Sequence, residues 1–299
     1  MEMQFIYADN AATTKMSDVA VKAMLPYLQE TYANASSVHI LGQRSAAALF
    51  SARQQLAQLL HCAPKELFFT SGGSEADNQA LISAAAIGRQ QGKRHIISTA
   101  MEHHAILHTL EALEEQGFTV TLLRPQKDGI VTAAQVAATL TDETCLVSVM
   151  YANNETGAIQ PINEIGALCR QRGVLFHTDA VQAAGHVDID VQRDNIDMLS
   201  LSAHKFHGPK GVGLLFAKSS IQLTSLIRGG GQERGKRAGT ENLPGIVGLA
   251  AAFKDAQEQL AANTAYITNL RDALRAGLEQ IPGASFNGSR EHCLPGTVN

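Results

Sequence analysis

The sequence predicts an α/β fold built on a mostly parallel sheet, and three features predict it. Short β-rich runs alternate with longer helical patterns from residue 65 to about residue 217, a rhythm that gives parallel strands covered by helices on both faces. Gly92, Gly117 and Gly173 stand where three of those helices should stop. With 299 residues, 45% hydrophobic and 17% charged, the chain has ample core and is not disordered, collagen-like or a coiled coil.

The elements follow in order. Two helices are expected over Ser17–Thr31 and Gln43–His61, joined by the polar loop NASSVH at Asn34–His39. Seven strands are expected over Glu66–Thr70, His95–Thr99, Thr119–Arg124, Cys145–Met150, Val174–Asp179, Asp197–Ser202 and Val212–Ala217. Between them, helical patterns cover about Ser74–Gln91, His103–Gln116, Ala133–Leu140 and Ile162–Arg172. After the sheet, Ile246, Leu249, Phe253, Ala256 and Leu260 recur at helical spacing, and a further helix is expected over roughly Ala265–Gln280, before Pro282-Gly283. No internal repeat is visible.

A net charge of −4 with no long basic run argues against nucleic acid as a partner. Cys62, Cys145, Cys169 and Cys293 form no CxxC pair, and the N-terminus has neither a basic nor an apolar leader region. No apolar run approaches the roughly 20 residues of a membrane span, so a reducing, cytoplasmic setting without structural disulfides is expected. No metal site is expected.

In such a sheet, ligands bind beyond the carboxyl ends of the strands. After ELFFT comes Ser71-Gly72-Gly73-Ser74, entering a helix whose free N–H groups and dipole suit a phosphate; the plainer reading is a glycine turn with Ser74 as N-cap. His103 and His104 open the helix after HIIST, either as capping residues or with His103 facing a ligand. Asn153 and Asn154 follow CLVSVM as turn residues or as side-chain donors.

Asp179 ends the apolar strand VLFHTD, where a carboxylate needs a cation or a protonated ring nitrogen unless it caps a following helix. In SAHKFHGPKG (Ser202–Gly211), Lys205 lies between His204 and Phe206 ahead of Gly/Pro turns, a setting for a partly desolvated amine with imine chemistry or for an ordinary loop lysine; Lys210 reads as a surface residue. The segment Gly230–Arg237 has GxxxxGK spacing but carries Arg237 where a nucleotide-binding loop needs Ser or Thr, and it follows the last strand through an expected helical stretch, so nucleotide hydrolysis is set aside.

Together, YADNAATT (Tyr7–Thr14), TSGGSEADN (Thr70–Asn78), MEHHA (Met101–Ala105), NNETG (Asn153–Gly157), HTDAVQ (His177–Gln182), SAHKFHGPKG and RAGTEN (Arg237–Asn242) resemble, in order, the motifs of the NifS/IscS-like cysteine desulfurases. These are pyridoxal phosphate (PLP) enzymes of the class V aminotransferase group, fold type I. The resemblance runs from about residue 5 to the last residue. It implies a large PLP-binding domain over 15–261 and a small domain, incomplete at its C-terminal side, from 1–14 and 262–299.

It makes Lys205 the Schiff-base lysine and Asp179 the partner of the pyridinium nitrogen. His103 becomes the stacking ring that assists proton transfer, Gln182 the partner of the phenolic oxygen, and Asn154 its neighbour. Gly73, Ser74, Ser202 and His204 resemble the phosphate-binding set, completed by Thr240 from a second subunit, which implies a homodimer. The reaction implied is conversion of L-cysteine to L-alanine, with sulfur passed as a protein persulfide to an iron–sulfur scaffold or another acceptor.

Selenocysteine lyase, another class V enzyme and a non-catalytic PLP-binding assembly component are the alternative readings. In the family, the persulfide cysteine and a carboxylate-binding arginine lie beyond the segment matching LPGTVN. The expectation is therefore a truncated chain, a fragment or one half of a split enzyme that binds PLP through Lys205 but desulfurates cysteine poorly or not at all by itself. Ala35 stands where the family usually has proline.

Overall fold

The computed structural model describes residues 6–299. In chain order the elements are α1 (Asp18–Gln29), α2 (Ile40–Leu59), β1 (Leu67–Thr70), α3 (Gly73–Gln90), β2 (His95–Thr99), α4 (His104–Glu115), β3 (Thr119–Leu123), α5 (Ala133–Thr139), β4 (Thr144–Ser148), α6 (Ile162–Arg172), β5 (Leu175–Asp179), β6 (Met198–Ser202), β7 (Gly213–Ala217), α7 (Leu243–Glu258) and α8 (Leu260–Leu278). The strands join in one sheet of order β1-β7-β6-β5-β4-β2-β3. Only β7 runs against its neighbours, pairing antiparallel with β1 and with β6, so the sheet is mostly parallel as expected.

Alternation along the strands explains the two-sided cover. In β6 and β7, Leu199, Leu201, Leu214 and Phe216 pack on one face with α6 and α7, while Met198 and Leu215 pack on the other with α3 and α4. Each of these leucine and phenylalanine side chains is buried, and each such burial contributes about 1.5–3 kcal/mol. Ala76, Ala80 and Ala84 line the inner stripe of α3, and their small side chains let that helix lie close under the sheet.

The helix stops fall where glycines were expected. Gly173 caps α6 with φ 63°, and Gly92 and Gly117 follow α3 and α4 with φ 75° and 87°, backbone states that a residue with a Cβ adopts at a cost. Three expectations need correcting. The second helix begins at Ile40, three residues early, because the His39 ring accepts from the Gly42 N–H and caps it. The third begins at Gly73 with Gly72 as its N-cap, so Ser74 lies inside the first turn and caps nothing. The segment between β7 and Gly230 forms turns, with no helical stretch.

The chain bends from α7 into α8 at Gln259. No residue of α8 is buried, and Tyr266, Leu270 and Leu274 stand exposed on it. The last residues return to the sheet layer, where Ala158 bridges Cys293 and Leu294 is buried.

Candidate active site

The carboxyl ends of β1, β4, β5 and β6 share one edge of the sheet, and β7, being reversed, begins there. Gly213 opens β7 opposite Thr70 and Ser202. A Cβ on Gly213 would lie 2.6 Å from the Gly72 backbone, so glycine here lets the Gly72-Gly73 turn cross over β7 and reach Ser202. The crossing aims the first turn of α3, with its unpaired N–H groups, at the sheet edge. An open hollow of about 430 Å³ lies over that turn, lined by Thr13, Gly72, Gly73, Ser74, Ser202 and His204 among others.

Beside it a cleft of about 410 Å³ is lined by Gly73, Ser74, His103, Asn154, Asp179, Gln182, Ser202, His204 and Lys205. These are nine of the ten residues singled out in the sequence; the tenth, Thr240, lies with Ser71 and Gly211 along a separate hollow. Lys205 sits in a short 3-10 turn directly after β6. Its ammonium donates to the carbonyls of Ala11 and Ala12, and burial lowers its pKa against the opposing charges of Asp179 and Asp9.

Asp179 ends β5 and is 5% exposed. Its Oδ1 accepts from the Val181 N–H at 2.9 Å, so it shapes a turn and caps no helix. Burial raises its pKa, an effect opposed by that N–H and by the charges of His103 and Lys205. The amine and the carboxylate therefore face one space.

His103 fills both roles that the sequence left open. Its Nδ1 accepts from the Ala105 N–H at 3.0 Å as the N-cap of α4, and its ring lines the cleft. The two asparagines divide the roles: Asn153 accepts from the N–H groups of Glu155 and Thr156 and holds the turn, while Asn154 lines the cleft. Gln182 donates to the Ala11 carbonyl, the same oxygen that Lys205 uses. The His204 ring pairs with Thr13 Oγ1 at 3.0 Å, and burial together with the charges of Lys205 and Lys210 lowers its pKa.

Residues 9–15 thus form one wall. Thr14 donates through its N–H and its hydroxyl to the His204 carbonyl, and its Oγ1 accepts from the His207 N–H. The sequence marked this stretch as a motif without assigning its residues, yet Asp9, Ala11 and Ala12 line the cleft. Asp77 was also missed; it lies three positions beyond Ser74 on α3 and therefore on the same face.

Two of the charged residues that follow β7 are spoken for. Arg237 pairs with Glu75 at 2.9 Å, and Glu233 pairs with Arg53 of α2. None of the four cysteines lines the cleft. Burial pushes the thiols of Cys62, Cys145 and Cys169 up to about 12, 11 and 12, which suits packing more than reaction.

The residues fit pyridoxal phosphate. A half-buried amine faces a buried carboxylate across the cleft, and an imidazole and an amide stand at its sides. A Cβ at Gly73 would come within 2.6 Å of Val181 Cγ2, so only glycine leaves this cradle open at the helix N-terminus.

Comparison with known proteins shows the family of the chain. The aminotransferase class-V family model matches residues 6–299. Cysteine desulfurase IscS of Clostridium botulinum is 48% identical over 297 residues, which is 98% of this chain and 75% of that protein. Cysteine desulfurase IscS of Methanosarcina thermophila is 46% identical over 298 residues, covering 100% of this chain and 74% of the relative.

Among solved structures, a NifS-like protein superposes with a TM-score of 0.94 at 38% identity, covering 98% of this chain and 80% of the other. DndA from Streptomyces lividans superposes at 0.87 with 37% identity, covering 98% and 82%. The fold is therefore that of the pyridoxal phosphate enzymes of fold type I, and the chain belongs to the class V aminotransferase family and, within it, to the cysteine desulfurases.

Proposed function

We propose that this chain is a pyridoxal phosphate-dependent cysteine desulfurase, acting on L-cysteine to give L-alanine and sulfur for transfer to an acceptor protein. One observation carries the reading: Lys205 and Asp179 open into one cleft beside the N-terminal turn of α3. When bound, the cofactor supplies an electron sink for charge developing at the substrate Cα. The remaining work falls to the chain.

Lys205 is the amine that anchors the cofactor aldehyde, and burial favours its neutral, nucleophilic form. Once displaced by substrate, the same amine stands ready to accept the Cα proton. Asp179 holds the ring nitrogen in its protonated form. His103 would stack on the cofactor ring and assist proton transfer on the substrate side, while Gln182 and Asn154 would address the phenolic oxygen. Gly73, Ser74, Ser202 and His204 hold the phosphate at the start of α3.

Thr240 would complete the phosphate site from a second copy, making the protein a homodimer. Its position outside the cleft of its own chain supports this, as do Val19, Leu25, Leu28, Tyr32, Val38 and Ile40, all exposed around α1 and the start of α2. A reducing, cytoplasmic setting belongs to the same reading. None of the four cysteines is assigned as the sulfur-accepting thiol.

The test is alanine release from L-cysteine by the protein supplied with pyridoxal phosphate and a thiol acceptor. Alanine should appear with the wild type and vanish in Lys205→Ala. Binding of pyridoxal phosphate without any alanine would leave a cofactor-binding protein and overturn the catalytic reading.

A further inference from the structure

Two more buried carboxyl groups feel the charge of Asp179: Asp77 on α3, which lines the cleft, and Glu102 before α4, which does not, and each keeps one buried oxygen without a partner. Asp77 is 1% exposed. Its Oδ1 has no hydrogen-bond partner and lies 3.7 Å from His177 Nε2, beyond bonding distance. The His177 ring makes its hydrogen bonds elsewhere, Nδ1 with Ser148 Oγ at 2.9 Å and Nε2 with Ser200 Oγ at 3.1 Å.

Glu102 spends Oε1 on the Thr99 hydroxyl and the Met150 N–H, at 2.7 and 2.9 Å, while its Oε2 is sealed from solvent without a donor. No lysine or arginine pairs with either group. Lys205 and His103 line the cleft beside Asp179.

We infer that Asp77 and Glu102 are positioning residues that remain protonated at neutral pH, so that of these three buried carboxyl groups Asp179 alone is ionised. Two like charges held close cannot both persist in a buried site. A charge on Asp77 would raise the proton affinity of Asp179, turn it neutral and remove the counter-charge for a cationic ring nitrogen. Two neutral acids behind it leave that charge in place.

The directions of titration agree with the geometry. Burial, then the charge of Asp179, pushes Asp77 well above the usual carboxylate range, and burial pushes Glu102 up to about 8. Burial holds His177 down to about 3, so it stays neutral beside them.

The inference rests on Asp179 as the partner of the ring nitrogen, but its test does not. Infrared spectra of the full chain at neutral pH, with and without pyridoxal phosphate, would be recorded after labelling the aspartate side-chain carboxyls with carbon-13. A carboxylic acid C=O stretch that shifts with the label should be present in both states and be lost in Asp77→Asn. A second, unshifted stretch should be lost in Glu102→Gln. In the loaded protein Asp77 should supply the sole aspartic acid stretch.

Absence of any acid stretch from the wild type at neutral pH, or survival of both stretches in the two variants, would overturn the inference; the wild-type spectra decide even if a variant fails to fold. A chain that binds no pyridoxal phosphate but shows both stretches would contradict the proposed function while leaving the protonation states established.

Discussion

The protein buries carboxyl groups in two ways, one behind β1 and the other on the floor of the cleft. Behind β1, Glu233 receives two hydrogen bonds from Arg53, at 2.6 and 2.9 Å, and a third from the Phe69 N–H. Arg53 also donates to the Leu67 carbonyl and lies over the Phe69 ring. Arg53 and Glu233 meet each other there within the chain. At the cleft, Asp77 and, outside its lining, Glu102 each keep a buried oxygen without a partner, and Asp179 faces open space. Local satisfaction marks a structural cluster, whereas buried charge without a resident partner marks a place prepared for something that binds.

The largest expected effect comes from the cation of the cleft. Lys205→Ala should abolish both the visible absorption of the protein mixed with pyridoxal phosphate and alanine formation, read by spectrophotometry and amino-acid analysis; a variant that kept either would break the contrast at its functional end. At the structural end, Glu233→Ala strands a buried guanidinium. It should cost about 3–5 kcal/mol, measured by denaturant unfolding, and a loss near zero would show that the cluster behind β1 is not a structural anchor.

Titration separates the regions further. Glu102 has its pKa raised by burial from 4.5 to about 8, so the folded state holds a proton that the unfolded chain gives up, and stability falls as pH rises through that window. His177 has its pKa lowered by burial from 6.5 to about 3, so stability also falls as pH drops through that range. Melting temperatures across pH should form a dome, and Glu102→Gln should flatten its alkaline side and leave the acid side unchanged. The smallest effect is expected at the half-exposed link from α3 to the segment after β7, where Glu75→Gln removes one charge from the Arg237 pair. About 1 kcal/mol in the unfolding midpoint is expected.

Much of this architecture is legible in the sequence because it rests on local signals. The expected strands lie within a residue or two of those observed, since apolar runs buried on both faces are bounded by polar turns. Helix starts were harder to read. The His39 cap moved α2 forward, because an imidazole acceptor gives no clear sequence signal of capping, and the Gly72 entry moved α3 forward because its extended backbone follows from the crossing over β7.

At the cleft, residues directly after strand ends were readable, as Asp179, His103 and Lys205 illustrate. Asp77 escaped because it lies a full turn into a helix, and Asp9, Ala11 and Ala12 escaped because long-range hydrogen bonds from Lys205 and Gln182 bring them in. Spacing alone does not reveal contacts across nearly two hundred residues.

The most direct measurement is borohydride reduction of the protein loaded with pyridoxal phosphate, followed by peptide mapping. The cofactor should be recovered covalently attached to the peptide containing Lys205, and to that lysine within it. Recovery on Lys210, a scatter over surface lysines, or no adduct would contradict the assignment on which the cleft, its carboxylate floor and the proposed chemistry all depend.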